Sequence, residues 1–341
     1  MSIFWGCKFT IKFKFSVNVY IQTEISIISQ TQNKKNMPKI LSTILRILVG
    51  LAFVTSGLLK YISIDVFDLY VFEHQLFSVS VTETITRLLI TVELVLGILL
   101  VCNIHTRLAY YGVLFLLMGF TLYLFLLPSL FDVDISNCHC FGTAIVLSRG
   151  ESIAKNLILL FCLAFFSPKF YIYKKWHTGV MLALSAVTLI VIMVINAPNY
   201  LYTMVHKDKI QVNIPVYESA LQNSGKKTEF TDGKQIICLY SAGCRFCKHA
   251  ALKLHLIMKH HQLQEKDVKA IFWSGTPDSL IYNFFSDQKI PILEYTTFRI
   301  DTFLNITSGS MPVLLFSNNG TITQKANYIS LKENDVVEFF K

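Results

Sequence analysis

The stretch Gln235-Ile-Ile-Cys-Leu-Tyr-Ser-Ala-Gly-Cys-Arg-Phe-Cys-Lys-His-Ala-Ala-Leu-Lys-Leu254 decides how the C-terminal half is read. Gln235–Tyr240 is a β-rich run. A short turn follows, after which apolar residues at Ala250, Leu254 and Ile257 recur at helical spacing. Cys244 therefore falls at a helix N-terminus, where the dipole and unpaired N–H groups stabilise a thiolate. Two intervening residues put Cys247 one turn along, within reach for a disulfide. Downstream, Lys269–Trp273 reads as a strand and Pro277–Asp287 as helical. Ser310-Met311-Pro312-Val313-Leu314-Leu315-Phe316 then reads as a strand entered through proline, and Asn318-Asn319-Gly320 as its hairpin turn.

Outward from this stretch the composition changes. The 341-residue chain is 53% hydrophobic and only 16% charged, and its mean hydropathy is +0.49. A globular domain carries about a quarter charged residues. The apolar excess collects between Ile40 and Ala197 and gives way to an ordinary polar mixture after Leu201. These facts exclude a single soluble domain, a disordered chain and a fibrous one. They imply a membrane region followed by a soluble domain.

Five segments are long and apolar enough for a hydrocarbon core of about 30 Å: Ile40–Leu59, Thr86–Asn103, Leu108–Leu130, Ser152–Ser167 and Trp176–Ala197. Residues 1–36 lack the core and cleavage site of a signal peptide and read as a non-structural extension or a start placed too early, ahead of Met37. The expected divisions are thus 1–36, a four-helix membrane domain at 37–167, a fifth span with linker at 168–204, and a soluble domain at 205–341. The net charge of +9 is explained by lysines flanking the spans rather than by a nucleic-acid surface. Membrane lipid is an expected partner and nucleic acid is not.

Lysine and arginine placement sets the expected orientation. Lys34, Lys35 and Lys39 precede the first span, and Lys169, Lys174 and Lys175 separate the fourth from the fifth. The 61–83 connection holds Asp65, Asp68, Glu73 and Glu83 without Lys or Arg. With the basic segments in the cytoplasm, the 131–150 loop and everything after Leu201 lie outside. The expected location is a bacterial inner membrane, with the C-terminal domain periplasm-facing.

The cysteines stand at 7, 102, 138, 140, 162, 238, 244 and 247. Two close pairs, Cys138/Cys140 and Cys244/Cys247, then share the oxidising compartment. Cys138-His139-Cys140 admits three readings. The pair can close a small strained disulfide that accepts electrons readily, it can bind copper(I) through two thiolates and an imidazole, or it is a structural disulfide. Redox use is preferred. Glu93, midway along the second span, is a functional candidate by its depth alone. It is read as a proton relay or, paired with Lys60, as a packing element.

The strand–turn–helix around Cys244 and Cys247, with the strand after Pro312, resembles the thioredoxin fold over residues 211–341. The long insertion between Cys247 and Pro312 is similar to the TlpA-like branch. This resemblance implies a cis Met311–Pro312 bond beside the redox pair. It also identifies a departure, since Cys238 stands six residues before Cys244, where many thioredoxins carry a buried acid. In the membrane half, Arg46-Ile-Leu-Val-Gly-Leu-Ala-Phe-Val-Thr-Ser-Gly-Leu-Leu-Lys60, Phe67, Cys138-His-Cys-Phe-Gly142 and Asn156 together resemble the DoxX/MauE family of four-helix membrane proteins. His139 replaces that family's usual glycine. The resemblance implies roles such as those of MauE-like proteins in maturing methylamine dehydrogenase, or of DoxX-like proteins beside a quinol oxidase. The joined halves are similar in organisation to VKOR-type proteins, in which a quinone-facing bundle carries a thioredoxin partner.

The expected architecture is a four-helix DoxX/MauE-like membrane bundle with a fifth transmembrane helix, followed by an α/β thioredoxin-like domain. The expected function is membrane-bound thiol–disulfide exchange between Cys244/Cys247 and Cys138/Cys140, with Pro312 beside the soluble pair. A client protein outside the cytoplasm is the expected partner, and a quinone the candidate acceptor. The alternatives are copper handling through Cys138, His139 and Cys140, or a bundle that only anchors the soluble domain.

Overall fold

The computed structural model describes residues 39–131, 147–165, 175–205 and 210–341. The first part is all-helical: α1 (Lys39–Ile62), α2 (Ile64–Phe72), α3 (Val79–Cys102), α4 (Thr106–Phe131), α5 (Arg149–Phe165), α6 (Lys175–Ile195) and α7 (Asn199–Val205). Among the described residues, four helices (α1, α3, α4 and α6) have the length and apolar composition to cross a membrane. The segment read as the fourth span is α5, whose described part has 17 residues, about 26 Å at the α-helical rise. It packs against α1 and α4. Phe115, Phe161 and Val194 lie on outward faces, as side chains meeting lipid should.

Helix α3 is the bundle's centre, touching α1, α2, α4, α6 and α7. It crosses α1 at backbone contact. A Cβ added at Gly97 would lie 2.9 Å from both the Gly50 oxygen and the Val54 nitrogen. One at Gly57 would stand 2.8 Å from the Leu94 side chain. Small residues at such crossings let helices approach where no hydrophobic force drives them together.

The 61–83 connection differs from its reading as an acidic outer loop, and the second span begins at Val79 rather than Thr86. Residues 64–72 of the connection fold into α2, and two of its acids, Asp68 and Glu83, find partners. Asp68 lies 2.7 Å from Arg87 and also accepts the Thr86 hydroxyl. Glu83 accepts the Asn199 amide at 2.9 Å and its side-chain NH2 at 2.7 Å. Arg87 Nε donates to the Asn196 carbonyl at 3.1 Å. Charges removed from water persist when paired and hydrogen-bonded. These pairs also fix where the last span leaves the bundle relative to α3.

The C-terminal part comprises α8 (Ile214–Asn223), β1 (Lys234–Leu239), α9 (Arg245–His260), β2 (Val268–Trp273), α10 (Asp278–Ser286), β3 (Glu294–Phe298), α11 (Ile300–Thr307), β4 (Val313–Asn318), β5 (Thr321–Ala326) and α12 (Glu333–Phe340). The sheet order is β3-β2-β1-β4-β5. Strand β1 is central, parallel to β2 and antiparallel to β4. Alternation divides its side chains: Ile236 and Cys238 join the core under α9, α10 and α12, while Ile237 and Leu239 join that under α8 and α11. The β4–β5 turn places Asn319 at φ 50° and Gly320 at φ 81°, the two left-handed residues of a type I′ hairpin.

The soluble domain is seated on the bundle. Helix α2 packs along α9, and Phe72 and Val79 belong to the same buried cluster as Leu254 and Ile257. Phe72 meets the His260 ring edge-on at 5.9 Å, and Glu333 accepts the Val79 N–H at 2.9 Å. The connection between the first two spans and the C-terminal domain therefore lie on one side of the membrane.

Gly97→Val should force α1 and α3 apart, at a cost of roughly 1–3 kcal/mol for overpacking. Thermal melting in detergent should register a lowered midpoint. An unchanged midpoint would mean that the crossing is not the tight contact described.

Candidate thiol–disulfide site

Cys244 is the N-cap of α9, with φ −85° and ψ 121°. Its sulfur accepts the Cys247 N–H at 3.4 Å, so one of the helix's unpaired donors points at the place where thiolate charge would sit. Both cysteines are thiols here. The Cys247 thiol, together with the Cys247 and Phe246 amides, lowers the Cys244 thiol from its ordinary value to about 6. Cys247 is fully buried. Donating to Cys244 and losing water push its pKa far upward, although its sulfur accepts the Ser241 N–H at 3.4 Å. The pair is therefore asymmetric: a half-exposed thiolate beside a buried thiol. Thiol–disulfide exchange needs such a difference, one sulfur ionised to attack and the other held back to resolve.

Met311–Pro312 is a cis peptide, and Met311 packs against both core clusters. Cys238, where an acid stands in many thioredoxins, is buried, and its thiol is pushed up to about 12 by loss of water. Tyr240, two residues further along the chain, is fully buried, and its hydroxyl lies beside the Cys238 sulfur. Burial first, then the neighbouring Cys238 and Cys247, raise its pKa. The floor under the redox pair is thus a thiol and a phenol, both held neutral. Tyr240 went unmarked in the sequence, though the period-two spacing of 236, 238 and 240 carries the signal.

His249, His255, His260 and His261, along and at the end of α9, each meet a neighbour. His249 is buried against Tyr328 and Phe246, and burial lowers its pKa. His255 bonds Glu265, and His261 meets Glu333 at 2.7 Å. Lys253 is buried and donates to the Tyr328 carbonyl at 3.3 Å. Helices α2 and α12, packed against α9, explain the burial.

In the bundle, Lys60 Nζ lies 2.6 Å from Glu93 and 3.0 Å from Ser56 Oγ. The Phe67 and Phe120 ring centroids are each 5.7 Å from that ammonium. Asn156 donates to Thr121 Oγ1 at 3.3 Å. Toward the soluble domain, His74 Nδ1 donates to the Tyr70 carbonyl at 2.9 Å, which leaves Nε2 to accept the Tyr123 hydroxyl at 2.6 Å. Tyr70 in turn donates to Tyr123 at 3.1 Å. Cys138, His139 and Cys140 lie outside the described residues.

Residues 38–169 match the family of methylamine utilisation protein MauE. The match covers the polar interior built around Lys60 and Glu93. A second comparison spans both halves: the chain is 25% identical over 348 residues to Protein TlpB of Flavobacterium psychrophilum, covering 86% of this chain and 93% of that protein. The alignment therefore runs through both the helical part and the C-terminal α/β part of this chain.

Alkylation of Cys244 by iodoacetamide should be half-maximal near pH 6, with Cys247 unlabelled. Cys247→Ala removes the donor thiol, so the midpoint should move up toward that of an ordinary cysteine. A midpoint that stays in place would remove the thiol hydrogen bond from the account. Glu93→Ala strands the Lys60 ammonium in the bundle and should cost about 3–5 kcal/mol. Lys60→Met combined with Glu93→Leu should recover most of that loss in a detergent melt.

Proposed function

We propose that the protein is a membrane thiol–disulfide oxidoreductase in which Cys244/Cys247 exchanges electrons with Cys138/Cys140 to introduce disulfides into client proteins outside the cytoplasm. The observation that carries this reading is the asymmetric pair at the start of α9. A thiolate held at about 6 favours the reduced form at neutral pH, which makes the oxidised pair a ready acceptor from client thiols.

The step balances within the chain. After a client dithiol has reduced the soluble pair, the Cys244 thiolate attacks a Cys138–Cys140 disulfide. The Cys138–Cys244 bond forms as Cys140 leaves as a thiolate. Cys247 then gives up its proton and attacks Cys244, restoring the soluble disulfide and expelling Cys138. Two electrons pass to the loop pair.

The seating of the soluble domain on α2 supports a common compartment for the two pairs. That domain shares a side of the membrane with the connection after the first span. Alternation of the spans carries the loop between the third and fourth to the same side, and the basic segments assign that side to the exterior. The loop pair needs an onward acceptor. A quinone is the chemical class of acceptor that would take these electrons. When bound, a quinone supplies a two-electron, two-proton acceptor.

The deciding experiment is a trap. Cys140→Ser/Cys247→Ser protein in detergent should accumulate a Cys138–Cys244 bond identifiable by mass spectrometry, and Cys102→Ser and Cys162→Ser should not alter its yield. If no bond forms under mild oxidant while isolated residues 205–341 still reduce a model disulfide, the bundle is not the redox partner.

A further inference from the structure

The seam between the soluble domain and the bundle carries a group of side chains that the redox chemistry does not use. His260 ends α9, His261 caps it, and Glu333 opens α12. Their ligand atoms all lie within 4.8 Å of one another. Glu333 Oε1 is shared by both rings, 2.7 Å from His261 Nε2 and 3.4 Å from His260 Nδ1. Only the first contact is a hydrogen bond. His260 Nδ1 is buried and has no hydrogen-bond partner among the described residues.

A single proton cannot satisfy this arrangement, whereas one cation would engage both imidazoles and the carboxylate. Two histidines and one glutamate are a donor set of zinc sites that keep a fourth position for water. Tetrahedral ligands at the usual zinc distances stand about 3.3 Å apart. The 3.4 Å separation already fits that spacing, and the 2.7 Å one needs to open by only a few tenths of an ångström. The end of α9 adds the negative pole of its dipole.

We infer that His260, His261 and Glu333 form a zinc-type divalent metal site that locks the soluble domain onto the membrane bundle. The lock follows from the second carboxylate oxygen. Glu333 Oε2 accepts the N–H of Val79, the first residue of α3, whose N-cap Ser78 supplies no side-chain bond. A metal on Oε1 holds Glu333 in place, and Glu333 holds the N-terminus of a membrane span. Phe72, against the His260 ring, closes the apolar side.

The test uses the full-length protein in lipid nanodiscs with every cysteine reduced and alkylated, so that thiols cannot contribute. Zinc is titrated against a chromophoric chelator. One zinc per chain is expected, bound about tenfold or more weakly by His261→Gln and by Glu333→Gln. Amide exchange at Val79 should slow on adding zinc to the wild type but not to His260→Gln/His261→Gln. That double variant must retain the wild-type helical content and melting profile. If it then binds zinc as tightly as the wild type, or if the wild type binds none at micromolar concentration, the site is refuted. Zinc binding that leaves Val79 exchange unchanged would refute the lock.

Discussion

The packing of α2 along α9 makes one body of two halves that would otherwise share only a tether. A short helix between two membrane spans has no reason to be apolar on its outer face unless something covers it. Here Phe72 and Val79 enter the core of the soluble domain, and the redox helix lies against them. The contact depends on neutralising charge. Asp68 and Glu83, placed in the same connection, are held by Arg87 and Asn199. Without those partners the acids would pull the segment into water and leave α9 without its platform.

The chemistry of the redox pair is also a matter of position. Both cysteines belong to one helical turn, yet one stands at the unpaired amides and the other points into the core. Donating to Cys244, and then burial, raise the inner sulfur, while that thiol and the helix-end amides lower the exposed one. Neither effect requires a charged residue. The asymmetry therefore arises in a chain that has Cys238 and Tyr240 where many thioredoxins place a carboxylate. A buried thiol and phenol keep the floor neutral, so no nearby negative charge opposes the Cys244 thiolate.

Local signals were legible in the sequence. The cysteine spacing, the helical period after it and the Asn319-Gly320 turn each arise from neighbours along the chain, and the structure contains all three; of the five expected spans, four are helices long and apolar enough to cross a membrane among the described residues. Features made by distant residues left no such trace. Glu333 reaches Val79 across most of the polypeptide, and no periodicity announces that a residue of the last helix will cap a membrane span. The same holds for the histidines of α9: their spacing describes a helix face, and their partners Tyr328, Glu265, Glu333 and Phe72 come from elsewhere in the chain. Glu93 and Lys60 lie between these extremes. Depth in the membrane demanded a partner for each, and the glycines that bring α1 against α3 brought them together.

Seating has a kinetic consequence that a flexible tether would not give. A linker confers an effective concentration that falls as the accessible volume grows, and a domain free to tumble would present Cys244 to the bundle only part of the time. With α9 held along α2, Cys244 keeps a constant relation to the ends of α1 and α3 on that side. Under the proposed function, the same seating would restrict clients to the surface of Cys244 that the bundle leaves open. A device that loosened the seam would therefore trade rapid internal exchange for wider access to clients, and the contact between Glu333 and Val79 is the place where such a trade would be set.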